Sequence, residues 1–141
     1  MSLIVYSLTG PHASGPDVLA GYDVVLAGSA RSLGLSLTFR STRHEGVLID
    51  WIHEAAAAGA AGILMNPGSL GRTSLAIPEA LEAVALPVAE IDTTPASVRA
   101  PPWLGRFPRI ATVGHFAGPL CRGYRLALNA LADHLLQKRE A

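Results

Sequence analysis

The chain has 141 residues, 50% of them hydrophobic and 16% charged, with eleven basic residues balanced by eleven acidic ones. That length suits one domain spanning 1–141 with a single sizeable core, and the composition excludes a disordered chain or a coiled coil. The balanced charge argues against a nucleic-acid partner, the lone Cys121 excludes an intrachain disulfide framework and a multi-cysteine zinc site, and no apolar run reaches the roughly 18 residues of a membrane span.

The N-terminus enters Leu3-Ile4-Val5-Tyr6 without a basic lead-in. No signal peptide is expected, and the domain reads as cytoplasmic. Short β-rich runs at 3–7, 36–40, 62–66, 87–91 and 110–114 are bounded by Gly, Pro, Ser or Thr and read as strands. Helical patterns fill the gaps between them. Val18, Tyr22, Val25, Leu26 and Leu33 make the first apolar stripe, with Ser29 between the last two and Asp17 placed as its N-cap. Val47, Leu48, Trp51, Ile52 and Ala55 make the second, and Thr42 with Glu45 has the spacing of a capping box. A shorter third helix runs to about Val84, and Pro78 belongs in its first turn. The last helix carries Leu120, Tyr124, Leu128, Leu131 and Leu135.

Strands alternating with helices imply βαβ units and a parallel sheet. Five strands in so small a domain suit a flavodoxin-like α/β three-layer sandwich with sheet order 2-1-3-4-5. The Pro- and Arg-containing segment 93–108 lacks a helical stripe and reads as a long functional or interface loop.

In such sheets ligands bind beyond the carboxyl ends of the strands. That rule selects Ser7, Thr9 and His12 after the first strand and Asn66-Pro67-Gly68 and Arg72 after the third. It also selects Glu90, Asp92, Thr93 and Thr94 at the fourth, and His115 after the fifth. Glu90 and Asp92 are two apart on a strand and share a face, an arrangement fit for general acid–base work or for holding a hydroxylated ligand. Glu90 reads equally well as a buried carboxylate satisfied by backbone amides. Asn66 offers both a donor and an acceptor, though Asn-Pro-Gly is also common turn chemistry. His12 reads as a solvated turn residue, His115 as a hydrogen-bonded core histidine and Cys121 as a small buried hydrophobe.

Several segments resemble the type II dehydroquinases. They are His44-Glu45-Gly46 with Leu48-Ile49-Asp50-Trp51-Ile52-His53, Asn66-Pro67-Gly68 with Thr73-Ser74-Leu75-Ala76, Pro87-Val88-Ala89-Glu90-Ile91, and the stretch from Gly114 through Gly123-Tyr124 to Leu128. They keep the family's order and nearly its spacing. The resemblance implies a flavodoxin-like fold and a trimer-based homo-oligomer, commonly a dodecamer. It implies the shikimate-pathway reaction in which 3-dehydroquinate loses water through an enolate, with no cofactor and no metal. In the family a lid Tyr, activated by a lid Arg, abstracts the proton, and a His protonates the leaving hydroxyl.

Carried over residue by residue, the resemblance leaves the stretch from Gly10 to Pro16 shorter than the family lid, with neither its Arg nor its Tyr. The family's strand-four His falls at Asp92, its second His at Arg72, its Ser at Thr94, the Asn after it at Pro95 and its substrate Arg at Trp103. Glu90 and Asp92 remain as candidate catalytic residues. His12, Asn66, Arg72, Thr93, Thr94 and Arg99 remain as candidate binders of a small polar carboxylate. Arg72 and Asp92 carry opposite charges on neighbouring strand ends and are expected to meet. The reading is a divergent family member, weak or inactive on 3-dehydroquinate. The alternative is a catalytically inactive oligomeric binding or scaffold protein.

Overall fold

The computed structural model describes residues 2–12, 19, 21–93, 112–118 and 120–140. The elements run β1 (Leu3–Thr9), α1 (Tyr22–Ser32), β2 (Leu35–Ser41), α2 (Glu45–Ala57), β3 (Gly62–Asn66), a 3-10 turn (Gly68–Arg72), α3 (Ala76–Val84), β4 (Val88–Asp92), β5 (Gly114–Ala117) and α4 (Leu120–Glu140). All neighbouring strands pair in parallel, in the order β2-β1-β3-β4-β5. This is the expected flavodoxin-like sheet.

Strand alternation divides the core between two faces. Val5, Leu64, Ala89 and Ile91 face α1 and α4, where they meet Leu26, Ala30, Tyr124, Leu128 and Leu131. Tyr6, Leu8, Ile63, Met65 and Val88 face α2 and α3, where they meet Leu48, Ile52, Ile77 and Leu81. Truncating one of the fully buried Leu or Ile residues to Ala costs about 2–5 kcal/mol. Among the described residues, no helix is long and apolar enough to cross a membrane.

Three local expectations need correction. The inward stripe of α1 is Tyr22, Leu26 and Ala30, four residues apart, so Val25 falls off it and is 56% exposed; Ser29 is exposed too. Asp17 and Val18 lie outside the described residues, and Gly21 stands at the N-cap. No side-chain bond caps α2 at His44; Thr42 Oγ1 instead accepts the His44 amide at 3.2 Å, which replaces the capping box.

The fifth strand begins at Gly114 rather than near 110. The Thr112 and Val113 amides both donate to the Val88 carbonyl, at 3.1 and 2.9 Å. Two successive amides sharing one acceptor make a bend, and the ladder starts only where Gly114 faces Ala89. His115 and Phe116 therefore lie within the strand.

Candidate active site

Two loops meet above the sheet. The Gly10 amide donates to the Asn66 carbonyl at 2.7 Å, and the Ser69 amide donates to the Pro11 carbonyl at 3.0 Å. Glycine is what permits this approach. A Cβ on Gly68, whose φ is +60°, would stand 1.9 Å from the Pro11 carbonyl oxygen, and one on Gly10 would stand 2.3 Å from that of Pro67. The two backbones thereby carry His12 over the end of β3.

His12, Asn66 and Thr93 come together there, as the sequence suggested. Thr9 and Tyr124, which it did not join to them, complete the cluster. Asn66 Nδ2 donates to Thr93 Oγ1 at 3.1 Å and to the Tyr124 hydroxyl at 3.0 Å. Its Oδ1 accepts the Gly68 amide at 3.4 Å and lies 3.1 Å from His12 Nε2. The Tyr124 hydroxyl also meets Thr9 Oγ1 at 3.2 Å. His12 Nδ1 lies 2.9 Å from the Gly10 carbonyl, which can only accept, so this nitrogen donates. Nε2 then accepts from the Thr93 hydroxyl across 3.0 Å, and in this tautomer its approach to Asn66 Oδ1 is a contact between two acceptors rather than a hydrogen bond. His12 is thus half-buried with both nitrogens engaged, rather than solvated.

Tyr124 is fully buried on α4 beneath this cluster. Burial holds its phenol above the ordinary value, against the opposing hydrogen bonds from Thr9 and Asn66. A Tyr on an apolar helical stripe was the available signal, because a buried phenol usually finds a hydrogen-bond partner.

Glu90 and Asp92 alternate with Ala89 and Ile91, so they share the opposite sheet face, toward α2 and α3. Glu90 is buried, and its partner is His115 on β5: Nδ1 of the ring bonds Glu90 Oε1. His115 is hydrogen-bonded as expected, though half-buried. Asp92 ends β4 and Arg72 closes the 3-10 turn after β3; both are half-buried and engaged in contacts. Thr94, Arg99 and the positions of Pro95 and Trp103 lie outside the described residues. Cys121 is half-buried rather than part of the core. Ser7 Oγ is buried without a hydrogen-bond partner among the described residues. Among the described residues, no three His, Cys, Asp or Glu side chains are grouped to hold a metal ion.

The arrangement offers hydroxyl, amide and imidazole groups at the mouth of the sheet, and the Glu90–His115 pair lies apart from it on the opposite sheet face. Residues 6–132 match the family model described as Dehydroquinase class II. A 3-dehydroquinate dehydratase of Chelativorans sp. (strain BNC1) is 40% identical, over 96% of this chain and 100% of that protein. The 3-dehydroquinate dehydratase 2 of Pseudomonas putida is 43% identical, over 93% of this chain and 87% of that one. The crystal structure of a type II dehydroquinase from Propionibacterium acnes superposes with a TM-score of 0.74 at 27% identity, covering 94% of this chain and 99% of that one.

Proposed function

The chain belongs to the class II dehydroquinase family, and from that premise we propose that its strand ends bind a small hydroxylated carboxylate and dehydrate 3-dehydroquinate slowly. The observation that carries this reading is the convergence of Thr9, His12, Asn66 and Thr93 in one bonded cluster beyond β1, β3 and β4. Hydroxyls and amides of this kind recognise ligand hydroxyls, and Arg72 on the adjoining turn is suited to a carboxylate. The rate follows from the first loop. The stretch from Gly10 to Pro16 contains no Tyr and no Arg, the residues that the family resemblance assigns to proton abstraction. A positioned base contributes about 10²–10⁴-fold, so turnover lies roughly a thousandfold or more below that of a fully equipped relative.

One observation favours a second reading, a binding or assembly protein without catalysis. Both polar atoms of the Asn66 side chain are already engaged inside the protein, by Thr93, Tyr124 and the Gly68 amide.

A thermal-shift series with cyclic hydroxy acids, 3-dehydroquinate and shikimate included, tests the proposal. A ligand at about ten times its Kd adds about 1.4 kcal/mol of stability. For a chain of 141 residues that raises Tm by about 5 °C. No shift with any compound at millimolar concentration overturns the proposed site, and a shift without turnover selects the second reading.

A further inference from the structure

We infer that Tyr124 is a positioning residue for ligand recognition: from beneath the strand ends its hydroxyl holds the Asn66 amide with Nδ2 inward and Oδ1 toward the first loop, so that the site selects a ligand offering a hydroxyl donor. The inference rests on the function proposed above and names the specificity of that same site. It concerns binding alone and supplies no base.

The bond directions around Asn66 follow from groups that have only one role. The Gly68 amide can only donate, so the side-chain atom facing it at 3.4 Å is the oxygen. Nδ2 therefore points the other way, where its two hydrogens meet Thr93 Oγ1 at 3.1 Å and the Tyr124 hydroxyl at 3.0 Å. Having accepted from Nδ2, the Tyr124 hydroxyl keeps its own hydrogen for Thr9 Oγ1, 3.2 Å away. Thr9 and Asn66 stand opposite each other in the β1–β3 register, and one phenol ties both strand ends from below. All three side chains are buried, so none can turn to water as a substitute.

Tyr124 is itself held firmly. The residue before it, Gly123, lets α4 settle close against the sheet: a Cβ there would stand 3.3 Å from the Phe116 carbonyl oxygen and 3.4 Å from Ile91. The ring packs in the core with Ile91 and Leu128.

The upper side of the amide is under-filled. Oδ1 takes one long bond, and His12 Nε2 beside it at 3.1 Å is an acceptor in the tautomer that the Gly10 carbonyl requires. Two acceptors facing each other have no hydrogen between them, and a ligand hydroxyl that donates to Oδ1 supplies one. A ring carbon without a hydroxyl cannot. Removing the Tyr124 hydroxyl acts on this preference as well as on stability. Nδ2 then lacks an acceptor below, and turning the amide over gives it one again at His12 Nε2. The donor and acceptor of Asn66 change places, and the match to a ligand hydroxyl is lost.

The test uses the full-length protein, with Tyr22→Phe as control. That substitution also removes a buried-side phenol hydroxyl, but one whose bond runs to the Cys121 carbonyl at 3.5 Å, outside the cluster. Calorimetry gives the Kd for shikimate and for cyclohexenecarboxylate, which has the ring and carboxylate without the hydroxyls. Product absorbance gives kcat and KM on 3-dehydroquinate. The parent is expected to prefer shikimate at least about tenfold, since a site built to bond a hydroxyl rejects the analogue lacking it. Tyr124→Phe is expected to lower that preference about three- to tenfold, the worth of one hydrogen bond, and to raise KM by a similar factor with kcat held. Tyr22→Phe is expected to change neither. A parent that binds shikimate without preferring it, or a folded Tyr124→Phe protein with unchanged preference and KM, overturns the inference and leaves the proposed function standing. So does a fall in kcat with KM unchanged. If Tyr124→Phe does not fold, the parent decides by NMR: contacts of the Asn66 Nδ2 hydrogens with the Tyr124 ring uphold the inference, and contacts with the His12 ring in their place overturn it. A parent that binds neither shikimate nor 3-dehydroquinate at millimolar concentration overturns the proposed function and the inference together.

Discussion

Replacing Tyr124 with Phe probes how firmly the strand-end cluster is held. Phe fills the same space, so no cavity opens, and the perturbation is confined to one hydroxyl. That hydroxyl meets Asn66 Nδ2 at 3.0 Å and Thr9 Oγ1 at 3.2 Å. Each bond is worth about 0.5–1.5 kcal/mol net, so the loss is about 2 kcal/mol. Unfolding entropy of about 2.1 cal/mol/K per residue over the 141 residues converts this into a Tm fall of about 7 °C. Urea unfolding at fixed protomer concentration, with Thr9→Val closing a double-mutant cycle, measures it. The pH dependence gives a second readout. The Tyr124 phenol is held above its ordinary value by burial, so below about pH 10 both folded and unfolded states keep the proton and its contribution is constant. Above that pH the unfolded phenol ionises first, the folded state holds more protons, and stability falls as pH rises. Tyr124→Phe should make that alkaline fall shallower by up to about 1.4 kcal/mol per pH unit, one proton's worth. A stability loss below about 0.5 kcal/mol with no coupling to Thr9 would refute the reasoning.

Gly68→Ala should unseat the first loop, because its Cβ would meet the Pro11 carbonyl and its φ of +60° disfavours any side chain; a loss of at least about 1–3 kcal/mol in urea is expected, and a neutral result would contradict the loop contact. The Arg72–Asp92 pair proposed from sequence predicts that Asp92→Ala strengthens binding of small anions such as phosphate, measured by calorimetry; unchanged affinity would remove the pair. A trimer-based homo-oligomer is proposed from the low-charge composition and from exposed Val24 and Val25 on α1. Light scattering should give a mass that is a multiple of three chains, and a monomer at micromolar concentration would end that proposal.

Much of this was legible in the sequence, for identifiable reasons. Runs such as Gly62–Asn66 are buried from end to end, and a continuous apolar stretch bounded by turn residues marks a central parallel strand. Edge strand β5 has no buried residue, so the apolar signal pointed to the bend before it. That displacement hid one pairing: with the strand ending at Gly114, His115 falls beyond it, and the register against Glu90 is lost. Asn66, Thr93 and His12 were legible because they follow strand ends. Tyr124 was not, because it lies on an apolar helical stripe and only the tertiary fold places its hydroxyl beneath Asn66. The misplaced Val25 shows the same limit: a five-residue stripe tolerates more than one helical phase until the partner face is known.

The rate of 3-dehydroquinate dehydration by the purified protein, measured beside the Pseudomonas putida relative under identical conditions, tests the account most directly. The account predicts turnover slower by roughly a thousandfold or more. A rate equal to that of the relative would contradict it.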